Sequence, residues 1–129
     1  MTKVSTSRRV AIVEDHDDNR SMLHIFLENH RYLVTSYSSG SEALPGMRKA
    51  TPDVLLCDVS LPDIDGPTIL RQMRQDDVLL HIPVIAVTAH AMAGDRENFL
   101  RMGFDDYVSK PVNFEHLIDA IERQLAKQR

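Results

Sequence analysis

Short runs of apolar residues, several of which end in a polar residue, constrain the fold of this chain most strongly. Val10–Val13, Val54–Cys57 and Pro83–Val87 contain no polar side chain. Apolar runs of this length without alternation are typical of parallel strands that are buried on both faces of a sheet. Two further segments, Tyr32–Ser36 and Asp106–Ser109, complete a predicted set of five strands.

Segments with helical character separate and follow these strands. Three of them carry apolar residues at helical spacing, and we expect those faces to lie inside: Met22, Leu23, Phe26 and Leu27; Ile69, Leu70 and Met73; Leu117, Ile118, Ile121 and Leu125. Strands and helices that alternate through short connections predict a doubly wound α/β fold with a parallel sheet.

The residues at the expected helix ends support this pattern. Asp17 and Asp18 are carboxylates, which are favoured in a first helical turn, and Pro67 after Gly66 fits a first helical position. Asn113 can cap the start of the last helix, and Gly103 is placed to end a helix from Ala93 to Met102. The second helix, which starts near Ser39–Glu42, contains Pro45-Gly46. Proline removes a backbone hydrogen bond, so this helix should be kinked or short.

Composition suits one domain over residues 1–129, with residues 1–8 as a flexible tail. The chain is 43% hydrophobic and 26% charged, and its net charge of −4 indicates neither a nucleic-acid surface nor a basic membrane anchor. The single cysteine, Cys57, lies in an apolar run and should be a buried small hydrophobe. Without a signal peptide or a membrane-length run, a cytoplasmic location is expected.

Polar residues that follow the predicted strands should meet at one edge of the sheet, because carboxyl ends of neighbouring parallel strands lie side by side. They are Glu14, Asp15, Asp58, Thr88 and Lys110. Two carboxylates about 5 Å apart repel by about 3 kcal/mol at an effective dielectric near 20. One lysine does not suffice to neutralise three such carboxylates, so a further cation is expected. Oxygen ligands select Mg²⁺, and an aspartate nucleophile beside a metal, a lysine and a hydroxyl suits phosphoryl transfer.

Each of these residues also has an ordinary structural interpretation. Asp58 could cap the following turn, Glu14-Asp15 could cap a helix, Thr88 could end a strand, and Lys110 could be a solvated surface residue. The coincidence of all of them at strand ends favours the shared site.

Several motifs together resemble the receiver domains of bacterial two-component response regulators over nearly the whole chain. The matching pieces are Glu14-Asp15, Asp58 followed by Leu61-Pro62-Asp63-Ile64-Asp65-Gly66, then Thr88-Ala89, then Tyr107-Val108-Ser109-Lys110-Pro111. The resemblance implies a flavodoxin-like (βα)5 fold with strand order 2-1-3-4-5. Asn19-Arg20, Thr88 to Glu97 and Asp105-Asp106-Tyr107 look most like receivers of hybrid sensor kinases.

The resemblance also implies a role for each matching residue. Asp58 would accept the phosphoryl group. Asp15, Asp58 and the Ser60 carbonyl, helped by Glu14 directly or through water, would bind Mg²⁺, with Mn²⁺ as an alternative ion. Lys110 and Thr88 would contact the phosphoryl oxygens, and the Lys110–Pro111 peptide bond would be cis.

Three further positions carry weaker implications. Tyr107 resembles the aromatic residue that becomes buried on activation, although a half-buried strand residue is the simpler interpretation. Ser60 and His90 occupy the positions that tune the lifetime of the phosphoryl group, and His90 could equally be an inert loop residue.

By similarity, the donor would be a phosphohistidine of a histidine kinase or a phosphotransfer protein. The domain would catalyse only its own phosphorylation and dephosphorylation. The loop from Ala89 to Ala93 would rearrange, and the face formed by the fourth helix, fifth strand and fifth helix would then bind an effector or a second copy. The chain would be either a stand-alone receiver or part of a longer protein.

Three other functions share parts of this pattern. A haloacid-dehalogenase-type phosphatase would need an acidic residue where Ser60 stands, together with a cap. A receiver-like docking module that is not phosphorylated typically lacks the acceptor or its partners. A flavodoxin-like FMN protein would need a phosphate-binding loop after the first strand.

Overall fold

The computed structural model describes residues 8–89 and 94–127. Five parallel strands alternate with five helices in this part of the chain, and the sheet order is β2-β1-β3-β4-β5. The elements are β1 (Arg9–Val13), α1 (Asp17–Asn29), β2 (Leu33–Tyr37), α2 (Gly40–Lys49), β3 (Val54–Asp58), α3 (Gly66–Arg74), β4 (Val84–Thr88), α4 (Asp95–Met102), β5 (Asp106–Ser109) and α5 (Phe114–Ala126). The predicted fold class and strand order are confirmed.

Alternating side chains of the central strand feed two apolar layers, one on each face of the sheet. Leu55 and Cys57 pack with residues of α2, α3 and α4, whereas Val54 and Leu56 pack with residues of α1 and α5. All five residues of β3 are buried. Burial on both faces explains why this strand carries no polar residue before Asp58.

The expected helix faces are largely correct, with one exception in α1. Leu23 and Leu27 are buried, but Met22 is 47% exposed. Three predicted helix ends are also confirmed. Gly103 ends α4 with a φ of 113°, and Asn113 accepts a hydrogen bond from the amide of His116. Asp17 and Asp18 lie in the first turn of α1.

One expected boundary lies differently in the structure. The helix α4 begins at Asp95, because Gly94 before it has left-handed backbone geometry with a φ of 92°. The flexible tail expected over residues 1–8 falls outside the described residues except for Arg8, whose carbonyl accepts a hydrogen bond from the amide of Leu33 at 2.9 Å. None of the described helices is long and apolar enough to cross a bilayer.

The helix α2 continues through Pro45, where the sequence predicts a kinked or short helix. It runs for ten residues and contains Pro45, and burial of Ala43 and Met47 secures it on both sides of the proline. Gly46 has a packing function, since a Cβ atom there would overlap the ring of Tyr37 at the end of β2. The absent side chain therefore makes room for an aromatic ring.

Gly46→Ala should lower the free energy of unfolding by about 1 kcal/mol. Alanine gains about 1 kcal/mol in a helix interior, but overpacking costs about 1–3 kcal/mol. In a Tyr37→Ala background the overlap is gone, and the same substitution should stabilise the protein. Urea unfolding of the wild type, the two single variants and the double variant measures both effects. An equal change in stability from Gly46→Ala in the two backgrounds would contradict the packing argument.

Candidate functional site

Asp58 is the last residue of the central strand and is buried at the carboxyl edge of the sheet. Its Oδ1 accepts a hydrogen bond from the amide of Ser60 at 3.0 Å, and its Oδ2 accepts one from Nζ of Lys110 at 3.0 Å. The turn beyond it depends on Gly66, since a Cβ atom there would lie 2.9 Å from the Asp58 carbonyl oxygen. Asp58 is thus fixed by a strand behind it and a tight turn in front.

Glu14 follows β1 directly and is also buried. Its amide donates to the carbonyl of Tyr37, which fixes the main chain at the edge of β2. Its Oε2 accepts from the amide of His16, and its Oε1 accepts from Nζ of Lys110, both at 3.0 Å. The carboxylate is therefore held on two sides and directed toward the end of β3.

Lys110 connects the two buried carboxylates. The Lys110–Pro111 peptide bond is cis, and the Lys110 amide donates to the carbonyl of Thr88 at 2.7 Å. The ammonium is 3.0 Å from both Glu14 Oε1 and Asp58 Oδ2. Burial by itself would lower the pKa of Lys110, but the hydrogen bonds that its ammonium donates to Glu14 and Asp58, together with their negative charges, outweigh it and raise the pKa above its usual value.

A third carboxylate, Asp15, completes an acidic group at this edge. Glu14, Asp15 and Asp58 each offer an oxygen, and these three atoms lie within 4.8 Å of one another. Asp15 is exposed while the other two are buried, so the group opens to solvent on one side. Hard oxygen donors that are partly open to water suit Mg²⁺, which keeps several waters and binds through one or two carboxylates.

The charges in this group are incompletely balanced. Burial raises the pKa of Glu14 above its usual value of 4.5, and the nearby Asp58 raises it further, while the His16 amide and Lys110 act in the opposite direction. One ammonium facing three carboxylates leaves a negative excess. A divalent cation would offset that excess, so the residues present fit Mg²⁺.

The remaining predicted site residues have different degrees of structural support. Thr88 is buried at the end of β4, the neighbour of β3, and Ser60 lies exposed beside Asp58. Tyr107 is half-buried, and its ring stacks on Phe99 of α4 at a centroid distance of 5.5 Å. His90 and the loop residues 90–93 lie outside the described residues.

The buried cysteine and one arginine complete the surroundings of the site. Cys57 is fully buried next to Asp58, and burial raises the pKa of its thiol, which confirms a packing role rather than a reactive one. Arg20 of α1 donates from Nη1 to the carbonyl of Glu14 at 2.9 Å. The sequence analysis did not predict this contact of Arg20 with the site. The feature that could have indicated it is the position of Arg20 one turn after the start of a helix that begins with acidic residues.

Comparison with known proteins identifies the family. Residues 10–122 match the model of the response regulator receiver domain. The chain belongs to the response regulator receiver family. It is a phosphoacceptor domain of two-component signalling, as the motifs implied.

Relatives of this receiver domain extend over almost its full length. The polar-differentiation response regulator DivK of Brucella anthropi is 38% identical over 118 residues, which cover 92% of this chain and 96% of the relative. A response regulator structure from Chloroflexus aurantiacus is 33% identical, has a TM-score of 0.87, and aligns over 94% of this chain and 99% of the other.

A third similar structure bears on the acidic group. The receiver domain of a Pseudomonas aeruginosa sensor histidine kinase is 31% identical, with a TM-score of 0.84 over 94% of this chain and 99% of that one. That protein carries a magnesium ion coordinated in its active site cleft. Receiver domains bind Mg²⁺ in an acidic pocket, and this chain has an acidic group formed by Glu14, Asp15 and Asp58.

Lys110→Met should destabilise this receiver domain in a pH-dependent way. At pH 7 the variant leaves Glu14 and Asp58 buried without their cation, which should lower the free energy of unfolding. The loss should be limited to about 2 kcal/mol, because Lys110 is partly exposed and solvent screens its charge. Lys110 lowers the pKa of Glu14, so its removal should raise that pKa further above the usual value. Protonation of Glu14 as pH falls should then relieve more of the cost in the variant than in the wild type. The deficit should therefore narrow toward pH 5.

Urea unfolding at the two pH values, without metal, measures this change. Lys49→Met, at an exposed position near the end of α2, is the matched control and should show a small deficit that does not depend on pH. A Lys110→Met deficit that is equal at pH 7 and pH 5 would show that the carboxylates do not depend on the ammonium.

Proposed function

We propose that Asp58 is the phosphoacceptor and that it receives the phosphoryl group from a phosphohistidine of a histidine kinase or a phosphotransfer protein. The observation that supports this assignment is the position of its carboxylate. Asp58 Oδ2 lies 3.0 Å from the Lys110 ammonium, and oxygens of Glu14 and Asp15 lie within 4.8 Å. A nucleophile at the end of the central strand also lies where ligands approach a doubly wound sheet.

In the transfer, a carboxylate oxygen of Asp58 attacks phosphorus and forms a P–O bond. The P–N bond to the donor imidazole breaks, and its electron pair stays on the nitrogen, which then takes a proton from solvent. The product is an aspartyl phosphate, an intermediate that other aspartate nucleophiles also form. The Lys110 ammonium, freed from one carboxylate, can donate hydrogen bonds to the new phosphoryl oxygens.

Glu14, Asp15, Asp58 and the Ser60 carbonyl would hold the Mg²⁺, or Mn²⁺ in its place. When bound, the ion neutralises charge on the carboxylates and on the phosphoryl oxygens. The Thr88 hydroxyl would donate a hydrogen bond to the phosphoryl group from the neighbouring strand end. Hydrolysis by water would return Asp58 to its free form, with Ser60 and His90 setting how readily water reaches it.

A surface for the donor protein lies directly beside this site. A cleft of about 570 Å³ is lined by Glu14 and Lys110 on its polar side and by Pro111, Val112 and Phe114 on its apolar side. The adjoining face of α1 exposes Met22 at 47% and Ile25 at 58%. Because the phosphohistidine has to reach Asp58, the surface that bears it has to cover the edge of the site, and this apolar border suits a protein partner.

The output would come from the face formed by α4, β5 and α5, which binds an effector or a second copy of the chain. Tyr107 of β5 stacks on Phe99 of α4, and Asp106 of β5 forms an ion pair with Arg123 of α5 at 2.9 Å. The three elements are therefore linked by side chains. Movement of Thr88 toward a phosphoryl group would alter the neighbouring β5 and shift the position of Tyr107.

The cellular setting follows from the same assignment. A reducing cytoplasm suits a domain with one cysteine and a kinase partner. The net charge of −4 gives no basis for binding nucleic acid or an acidic membrane surface.

Incubation with acetyl phosphate and Mg²⁺ should add the mass of one phosphoryl group to the intact protein. The adduct should be absent in Asp58→Asn and in the presence of EDTA, because the first removes the nucleophile and the second the ion. Asp77→Asn, at an exposed position away from the site, should be modified as the wild type is. Mass spectrometry of the intact protein and of its peptides measures this, and an adduct on another residue would refute the assignment.

Beryllium fluoride, which mimics the phosphoryl group, should change the amide NMR shifts of α4 and β5 when Mg²⁺ is present. Thr88→Ser keeps the hydroxyl and should respond as the wild type does, whereas Thr88→Ala should respond at Asp58 but much less at Tyr107. Sedimentation of the same samples reports any dimer. Equal responses of the two variants at Tyr107 would remove Thr88 from the switch.

A further inference from the structure

The turn that carries two of the proposed metal ligands lacks a side-chain cap. The helices α2, α3 and α5 each have a capping side chain that accepts a hydrogen bond from a backbone amide of the first turn; these caps are Ser39, Asp65 and Asn113. At the start of α1 the capping position is His16, and its side chain makes no such bond. Glu14 and Asp15 thus precede a helix start whose capping position contributes no side-chain bond.

Arg20 supplies a connection across this turn. It lies in the first turns of α1, and helical side chains point back toward the helix N-terminus, which brings its guanidinium over the turn. Nη1 donates to the carbonyl of Glu14 at 2.9 Å and more weakly to that of Asp15 at 3.5 Å. Nη2 donates to Asp17 Oδ1 at 2.6 Å. The planar fork therefore connects the main chain of both acidic residues to the first turn of the helix.

The precision of a magnesium site makes this connection consequential. Mg²⁺ requires nearly octahedral geometry with ligand distances of about 2.0–2.1 Å, so a small rotation of the turn removes a ligand. Groups that orient metal ligands without touching the metal typically change metal affinity by about 10–100-fold when they are substituted. Arg20 is 21% exposed, which is low for a long cation on a surface helix, and its bonds go to the main chain of the ligand residues.

We propose that Arg20 is a positioning residue for the metal site, whose guanidinium holds the carbonyls of Glu14 and Asp15 and so directs both carboxylates toward Asp58. This inference rests on the proposed function of the site. If Arg20 acts by positioning, its loss should weaken Mg²⁺ binding. If only its charge matters, its loss should strengthen Mg²⁺ binding, because a cation near the acidic group repels the ion. Substitutions at Arg20 therefore separate positioning from charge by the sign of the change.

Two variants and one control carry the test. Arg20→Lys keeps the charge and loses the planar fork, and Arg20→Gln loses both. Arg71→Lys is the matched control, since Arg71 makes a comparable bond to Thr68 within α3, away from the turn. Calorimetric titration with Mg²⁺ should show about tenfold weaker binding for both Arg20 variants and no change for Arg71→Lys.

Two further measurements distinguish positioning from a general loss of stability. The Mg²⁺ concentration that gives half-maximal phosphorylation by acetyl phosphate should rise in Arg20→Lys, while the rate at saturating Mg²⁺ stays near that of the wild type. In the metal-free protein, the amide of His16, which donates to Glu14, should exchange its hydrogen faster in Arg20→Lys than in Arg71→Lys.

The possible failures are separable. Arg20 variants that bind Mg²⁺ as tightly as the wild type, or more tightly, would overturn the positioning role and leave the proposed function intact. A wild-type protein that binds no Mg²⁺ and gains no phosphoryl group would overturn both.

Discussion

The ammonium of Lys110 between two buried carboxylates is the interaction on which this site depends. Glu14 follows β1 and Asp58 ends β3, and burial of both carboxylates limits the access of water to their charges. Without a cation between them, the two carboxylates would oppose closure of the sheet edge. The same ammonium is the group that a phosphoryl oxygen would meet, so the contact that stabilises the resting domain also prepares it for the proposed transfer.

The sheet makes this contact possible by fixing both of its ends. Asp58 ends the central strand, and Lys110 follows β5, with its amide bonded to the carbonyl of Thr88. Both apolar layers hold these strands, since alternate residues of β3 face α1 and α5 on one side and the other three helices on the other. Rigid packing behind the site leaves the turns in front of it as the parts that can respond to a ligand.

The acidic turn after β1 has a different kind of support. Polar contacts hold this turn: the Glu14 amide donates to the Tyr37 carbonyl, the His16 amide donates to the Glu14 carboxylate, and the Arg20 guanidinium donates to the Glu14 carbonyl. Such contacts are directional, whereas apolar packing is not. The proposed metal site would need such direction, which a polar network supplies and a larger apolar core would not.

The sequence by itself determined the five strands, their parallel arrangement and the meeting of Glu14, Asp15, Asp58, Thr88 and Lys110 at one edge. It did so because uninterrupted apolar runs are typical of doubly buried strands, and parallel strands share an edge for their carboxyl ends. The strand order itself came from the family resemblance, since periodicity does not specify which strands are neighbours.

Only the tertiary structure decided which side chains touch. Lys110 contacts Glu14 as well as Asp58, Gly46 accommodates Tyr37, and Met22 is exposed although it follows the helical pattern. These contacts join residues that are far apart in the chain or depend on a helix's rotation about its axis by a fraction of a turn. The local sequence pattern predicts neither the long-range contacts nor the rotation of a helix, because both are set by how whole elements pack against one another.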